Sequence, residues 1–401
     1  VRHHEHVTDP NQPRLLTADI LYTGMGVPVR DGGVLVSGEV IAATGPAAEL
    51  RAAYPHAREE RAGRVIAPPP VNAHTHLDMS LYPFRALPYF RWIPEVVIAN
   101  RHLRGADGAR HGLAAVRLSG AAAVGDIVWD PDVMTYLLQE SDVPGVAYWE
   151  VLDPNPATAH DTLARTVERV RTWRKLERPG GMRVGLSSHA TYTVSARLHQ
   201  LLARFASEEG LPMQIHVAEH ASETELLQAG TGPLADALAK FDWPFTLADV
   251  LGRAPGPDLT PVRHLADLGV LDARPTLVHV VHATVDDARM IAQAGCSVIT
   301  CPRSNRNLEC GTFDWPLFAR EGVDVAIGTD SVASGESLDI HDEIRAAWRI
   351  HSNLDQRAVV RAAVKGGTRV TGGTVPFIRR GADWSGHYVW PDPHGGTHPT
   401  T

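Results

Sequence analysis

From Val71 onward the chain alternates short apolar runs with helical stretches, and no other feature limits its fold as much. The candidate strands are Val71 to Ala73, Ala122 to Val128, Gly145 to Val151, Met182 to Ser187, Met213 to His216, Thr276 to Val280, Ser297 to Thr300 and Asp324 to Ile327. Helical patterns lie between them: Glu95 to Leu118, Asp132 to Glu140, Asp161 to Leu176, Ser195 to Glu209, Glu223 to Lys240 with a break near Gly230, Val285 to Ala294, Leu317 to Glu321 and Ile340 to His351. Several of these helices carry end signals, such as Ser195 with Gly210 after the run, and the capping-box spacing of Thr284 and Asp287. Parallel strands need long crossovers, so this alternation implies a parallel sheet, and eight units predict a (β/α)8 TIM-like barrel of the α/β class. A doubly wound open sheet is the competing arrangement, but no GxGxxG follows the first strand.

Around this pattern lie segments of a different kind. Ala18 to Tyr54 gives short β-like pieces with turn glycines, and the glycine-rich tail from Gly366 is β-compatible and could pair with them. The expected organisation is an N-terminal segment, 1–68, of a small β-sandwich-like accessory domain, a barrel over 69–366, and a return to the small domain over 367–401. Asp242 to Pro261 reads as a long surface insertion near the barrel mouth.

Composition narrows the function. A chain of 401 residues with 44% hydrophobic and 21% charged residues can bury a large core. A net charge of −8 without a basic block argues against nucleic acid as a partner. No apolar run is long enough for a membrane span and no signal-peptide pattern opens the chain, so the cytoplasm is the expected location. Cys296, Cys301 and Cys310 are odd in number and match no zinc-finger spacing, which favours packed or free thiols.

The chemistry gathers where a barrel enzyme keeps it, at the C-terminal ends of strands. His74 and His76 end strand one in VNAHTHLDMS, and alternate residues of a strand converge on one side. With 21 histidines, chance produces such pairs: His4 and His6 also form one, in a polar terminus with no element to orient it, and receive no role. Strand five ends in QIHVAEH with His216 at its tip and Glu219 three residues on; strand six ends in LVHVVHA with His279; strand eight ends in VAIGTDS with Asp330; strand four ends in SSHATYTVS with His189. Each is weak alone. Together, on five separate strands, they point to a site. Three imidazoles and one carboxylate suit one Zn2+ held by His74, His76, His216 and Asp330, with Fe2+ or Mn2+ as alternatives. Strand four offers no bridging lysine, which favours one metal over two.

These motifs, with AAAVGDI, ITCPRSN and IGTDSVASGESLD, resemble the amidohydrolase superfamily, in its branch of cytosine, guanine and S-adenosylhomocysteine deaminases and chlorohydrolases. The likeness runs from the N-terminal β piece to about Gly367 and is nearest to the aminofutalosine deaminases of the alternative menaquinone pathway. It implies that His279 holds the water at the metal and that His189 touches the substrate sugar. It implies a nucleoside-like substrate, 6-amino-6-deoxyfutalosine, whose 5′ end carries an aromatic carboxylate. Arg85, Arg91, Arg303 and Arg306 are candidates to receive that carboxylate, and Ser331 is a candidate substrate contact. Pro69 and Pro70 depart from the usual Gly and apolar residue, and the tail lacks the usual glycine-lysine-alanine-aspartate strand, implying an abbreviated small domain.

The expected reaction is hydrolytic deamination. Asp330 takes a proton from the attacking water, His279 orients that water, and Glu219 serves as general acid/base at the purine ring. Amide or chloride hydrolysis by the same metal, and a metal-binding barrel without turnover, are the competing readings. A homodimer is compatible with all of them.

Overall fold

The computed structural model describes residues 12–374 and 376–391. His4 and His6 therefore lie outside the described residues, as does the C-terminal stretch from 392. The chain divides into two compact units: Val1–Pro70 with Asp355–Lys365 and Thr374–Thr401, and Val71–Leu354 with Gly366–Gly373.

The smaller unit holds a four-stranded sheet of β1 (Arg14–Leu21), β2 (Val29–Ser37), β3 (Val40–Pro46) and β4 (Arg58–Ile66), in the order β3-β2-β1-β4. Alternation along β1 and β2 puts Leu16, Ala18, Val34 and Val36 on one face, where they bury with Ile41, Ile66, Ile378 and Tyr388. The C-terminal segment adds antiparallel bridges, Val40 to Asp383 and Ile66 to Val389.

The larger unit is the eight-stranded parallel barrel: β5 (Val71–Thr75), β6 (Ala123–Val128), β7 (Gly145–Glu150), β8 (Met182–Ala190), β9 (Met213–Val217), β10 (Thr276–His279), β11 (Val298–Thr300) and β12 (Val325–Ile327), paired in chain order. These strands read as continuous apolar runs because they are covered on both faces: β6, β7 and β12 are buried along their whole length. The ladder's two ends, β12 and β5, meet at a parallel bridge between Thr75 and Asp330. Gly328 lets them approach, since a Cβ there would lie 2.7 Å from His74 Cβ and 2.8 Å from its backbone nitrogen.

Helices fill the crossovers. Thr284 and Asp287 form the expected capping box, and the break near Gly230 separates Ala221–Ala229 from Pro233–Leu238. Two expectations need correction. Glu95 to Leu118 is not one helix: a π turn (Ile93–Ile98) and a 3-10 turn (Arg101–Leu103) precede Ala106–Leu118, and Gly105, at φ 143°, is incompatible with helix continuation. Ser195 precedes its helix, but its hydroxyl makes no capping bond. The Asp242 to Pro261 insertion contains a short helix, Leu247–Leu251, started by a Thr246–Asp249 capping box. All three cysteines are buried and free. Among the described residues no helix is long and apolar enough to cross a membrane.

Candidate active site

His74 lies on β5 and His76 just past it, His216 on β9, His279 at the end of β10 and Asp330 just past β12, so one end of the barrel gathers them all. Ligand atoms of His74, His76 and Asp330 lie within 4.8 Å of one another, as do those of His74, His216 and His279. The Nε2 atoms of His74 and His216 are 3.3 Å apart, and Asp330 Oδ1 lies 3.8 Å from His74 Nε2 and 3.5 Å from His76 Nε2. The backbone is strained at this end. Ala218, His279, Val280 and Asp330 all have positive φ, a conformation rare for residues with a Cβ and rarest for a β-branched one.

Hydrogen bonds decide which ring nitrogens are available. Gln214 donates Nε2–H to Ala73 O at 2.9 Å, so its Oε1 accepts from His74 Nδ1 at 2.9 Å and leaves the His74 Nε2 lone pair exposed to the site. His216 donates Nδ1–H to His189 O at 3.2 Å, with the same result at its Nε2. Burial lowers the pKa of His74 to about 4 and holds His76 and His216 well below the ordinary value, so all three rings are neutral and able to ligate. Burial opposes ionisation of Asp330, whereas the Ser304 hydroxyl donates to it and favours the carboxylate. Its Oδ2 accepts from Ser304 Oγ at 2.6 Å and Ser334 Oγ at 3.0 Å, which turns Oδ1 toward the histidines. Three neutral imidazoles and a braced carboxylate form a donor set that fits a divalent cation. Without one, their converging lone pairs would be buried with no proton between them.

Glu219 and His279 form a second pair, with Glu219 Oε1 3.7 Å from His279 Nε2. His279 Nδ1 donates to Asn305 Oδ1 at 2.9 Å, fixing the ring. Burial raises the pKa of Glu219, favouring its acid form. Glu223 accepts the Glu219 backbone N–H at 3.3 Å and the Thr191 hydroxyl at 2.6 Å, and thus anchors the loop carrying the acid. His189 reaches the same end of the barrel, its Nδ1 2.6 Å from Thr193 Oγ1 and its Nε2 3.9 Å from Glu150 Oε1. Burial lowers its pKa to about 4 and raises that of Glu150 to about 7.

Two expected substrate contacts are engaged within the protein itself. Arg303 is buried, with ion pairs to Glu336 at 3.2 Å, Asp342 at 3.2 Å and Glu343 at 3.7 Å and a hydrogen bond to Ser337, so its guanidinium is already committed. Ser331 caps the helix Val332–Gly335, accepting from Ser334 N at 3.2 Å, and is buried in that role. Arg91 pairs with Glu95 and Arg306 bonds Asn307, both at the surface. Arg85 is half-exposed, and its backbone N–H donates to Ala333 O beside the Asp330 loop. Sequence reading missed Gln214, Ser304, Asn305, Ser334, Glu150 and Arg104. Only Gln214 had a clear signal, two residues before His216 and so on the same face of β9.

A parallel barrel with neutral histidines and an aspartate at its strand ends belongs to the class of metal-dependent hydrolases. The chain belongs to the amidohydrolase family, whose model matches residues 65–373. That family is metal-dependent, and the three histidines with Asp330 supply such a site. A bacterial imidazolonepropionase-like composite-domain model also matches residues 32–57. The chain is 59% identical over 377 residues to an aminodeoxyfutalosine deaminase of Deinococcus radiodurans, covering 94% of this chain and 90% of that protein. It is 29% identical to a 5-methylthioadenosine/S-adenosylhomocysteine deaminase of Nitratidesulfovibrio vulgaris, covering 82% and 70%. Among solved structures, Helicobacter pylori aminofutalosine deaminase superposes with a TM-score of 0.69 at 22% identity, covering 93% of this chain and 90% of that one, which shows the shared fold. A zinc-bound adenosine deaminase from Xanthomonas campestris gives a TM-score of 0.63 at 26% identity, covering 92% and 83%.

Proposed function

We propose that this chain is a hydrolytic deaminase of an adenine nucleoside, converting aminodeoxyfutalosine and water to futalosine and ammonia. The observation that carries the substrate is the 59% identity to the Deinococcus deaminase over nearly the whole of both chains. The site is consistent with that chemistry. His74, His76, His216 and Asp330 would hold one Zn2+, a borderline-soft ion suited to imidazole and carboxylate together. Such an ion supplies Lewis acidity that brings the pKa of a water from about 16 to roughly 7.

The chain's own groups do the rest. Asp330, with Oδ1 turned inward, accepts the proton of the attacking water. His279, fixed by Asn305, orients that water toward the amino-bearing carbon. Glu219, whose pKa burial raises, protonates the adjacent ring nitrogen and recovers a proton from the new hydroxyl as the C=O forms, while Asp330 passes the water's proton to the departing amine, which leaves as ammonia. His189, whose ring lies 5.3 Å from that of His216, would meet the sugar. Arg85 is the cation best suited to meet a substrate carboxylate, since it is half-exposed and its one ion pair among the described residues is with Glu95.

Ammonia release tests the reading. Purified metal-loaded protein should deaminate aminodeoxyfutalosine with a higher kcat/KM than 5′-deoxyadenosine, which lacks the aromatic carboxylate. Arg85→Ala should raise KM only for the former. Equal kcat/KM for the two nucleosides in the unmodified protein would leave a general adenosine-type deaminase, and no ammonia from either would remove the reading.

A further inference from the structure

At the ends of β7 and β8 and in the connection after β5 lies a group of buried polar side chains that the deamination chemistry does not use. Glu150 closes β7 next to His189 of β8 and is almost fully buried, and its Oε1 has no hydrogen-bond partner among the described residues. Arg104 comes from the connection after β5. Its Nε donates to Asp78 Oδ2 at 2.7 Å and its guanidinium lies 5.0 Å from the Trp129 ring centroid, while its Nη2 is also buried without a partner among the described residues. Its partner Asp78 lies two residues past His76, which places Arg104 at the same end of the barrel as the proposed metal ligands. The Tyr82 hydroxyl, which also feels Arg104, is likewise unpartnered.

Buried donors and acceptors are almost always paired, so an unpaired set at the mouth of an active site is matched to something that enters it. Its chemistry follows from charge and polarity. Arg104 is already paired with the Asp78 carboxylate, so no surplus positive charge remains to hold an anion. Thr193 donates to Ala190 O and accepts from His189 Nδ1, leaving His189 Nε2 as an acceptor. Two acceptors, His189 Nε2 and Glu150 Oε1, thus stand 3.9 Å apart and need donors between them, while the unpartnered Arg104 Nη2 needs an acceptor. A hydroxyl supplies both in one group, and adjacent hydroxyls supply both twice. We infer that Glu150 and Arg104, with His189, form a subsite that reads the paired hydroxyls of the substrate's ribose. This rests on the nucleoside reading above, which puts the base between Glu219 and Asp330 and so directs the sugar toward β7 and β8.

The test compares aminodeoxyfutalosine with its 2′,3′-dideoxy analogue in turnover, and futalosine with its dideoxy analogue in equilibrium binding, using the metal-loaded full chain. The unmodified protein should prefer the diol roughly 10- to 100-fold in both assays, as expected for hydrogen bonds to charged groups. In Glu150→Gln, whose side chain has the same size, the preference should shrink to within about threefold while one equivalent of metal is retained. Arg104→Lys, which keeps the charge and removes Nη2, should shrink it in the same direction and serves if Glu150→Gln does not fold. An undiminished diol preference in the variants overturns the subsite, as does an equal loss on both nucleosides. Metal loss in Glu150→Gln would instead make Glu150 a ligand beside His189 and His216, and also overturns it. If the unmodified protein releases no ammonia yet binds futalosine with the diol preference, the deaminase reading fails and the subsite stands. Absence of nucleoside binding removes both.

Discussion

A histidine ring can offer a metal only the nitrogen it is not using elsewhere, so the residues behind His74 and His216 matter as much as the rings. Gln214 and the His189 carbonyl accept hydrogen bonds from the two Nδ1–H groups and thereby leave both Nε2 atoms free, 3.3 Å from each other. Glu219 is distinguished from that set by its surroundings: it faces His279 and lies 3.9 Å from the Cys310 thiol, and it is raised, not lowered, by burial. Glu219→Gln should therefore keep a full equivalent of metal while kcat falls by ~10² to 10⁴, the usual worth of a general acid. Metal analysis and steady-state kinetics on one preparation check this, and near-normal turnover would reduce Glu219 to a buried spectator. At this scale the sequence is legible where residue types are chemically distinctive, as with H-x-H at a strand end. It is opaque for Ser304, Asn305 and Ser334, whose hydroxyls and amides are ordinary in loops and gain meaning only from the carboxylate or ring they touch.

Elements hold these groups because their periodicities are strict. Eight buried strands were readable as apolar runs, and the longer amphipathic helices as 3.6-residue patterns. Pro302–Asn307 and Val332–Gly335 were not, since six and four residues do not span two full helical turns. The helix Ala196–Glu209 shows how an element is tied to its strand by a titratable group. His199 is fully buried in it, with Nδ1 3.0 Å from Ser188 Oγ and Nε2 3.3 Å from Ala190 O, both on β8. Burial lowers its pKa to about 3. A histidine depressed in the folded state and ordinary in the unfolded chain contributes stability that is complete above about 6.5. It is lost as pH falls from there toward 3. His199→Gln keeps hydrogen-bonding capacity without a proton to gain, so its urea midpoint should fall less steeply between pH 6.5 and 4 than that of the unmodified protein. The difference between the two slopes isolates His199, because every other histidine is common to both. Parallel slopes would show that the ring is not carried neutral into the fold.

Across the whole barrel, the arrangement of the ligands coincides with its most precarious joint. Seven neighbouring strand pairs are joined by ladders, whereas β12 and β5 meet through the Thr75–Asp330 bridge and a few flanking bonds. Those are Asp330 N–H to His74 O at 3.0 Å, Thr329 N–H to Asn72 Oδ1 at 3.0 Å and Asn72 Nδ2 to Thr329 Oγ1 at 2.9 Å. The proposed ligands straddle this joint, with His74 and His76 on one side and Asp330 on the other, while His216 reaches in from β9. A cation held by all four would act as a staple across the seam, and its binding free energy would add to folding. Saturation a hundredfold above Kd contributes about 2.7 kcal/mol. Chelation should therefore lower the melting temperature by several degrees. The loss should also be local: amide exchange should accelerate in Val71–Thr75 and Val325–Ile327 well before β7 and β8, whose ladder runs unbroken from Gly145 and Met182 to Glu150 and Ser187. Restoring one equivalent of zinc should reverse both effects, and His216→Ala should resemble the chelated protein from the outset. Uniform acceleration across all eight strands, or an unchanged melting temperature after complete metal removal, would show that the seam closes without the ion and that the ligand set serves chemistry alone.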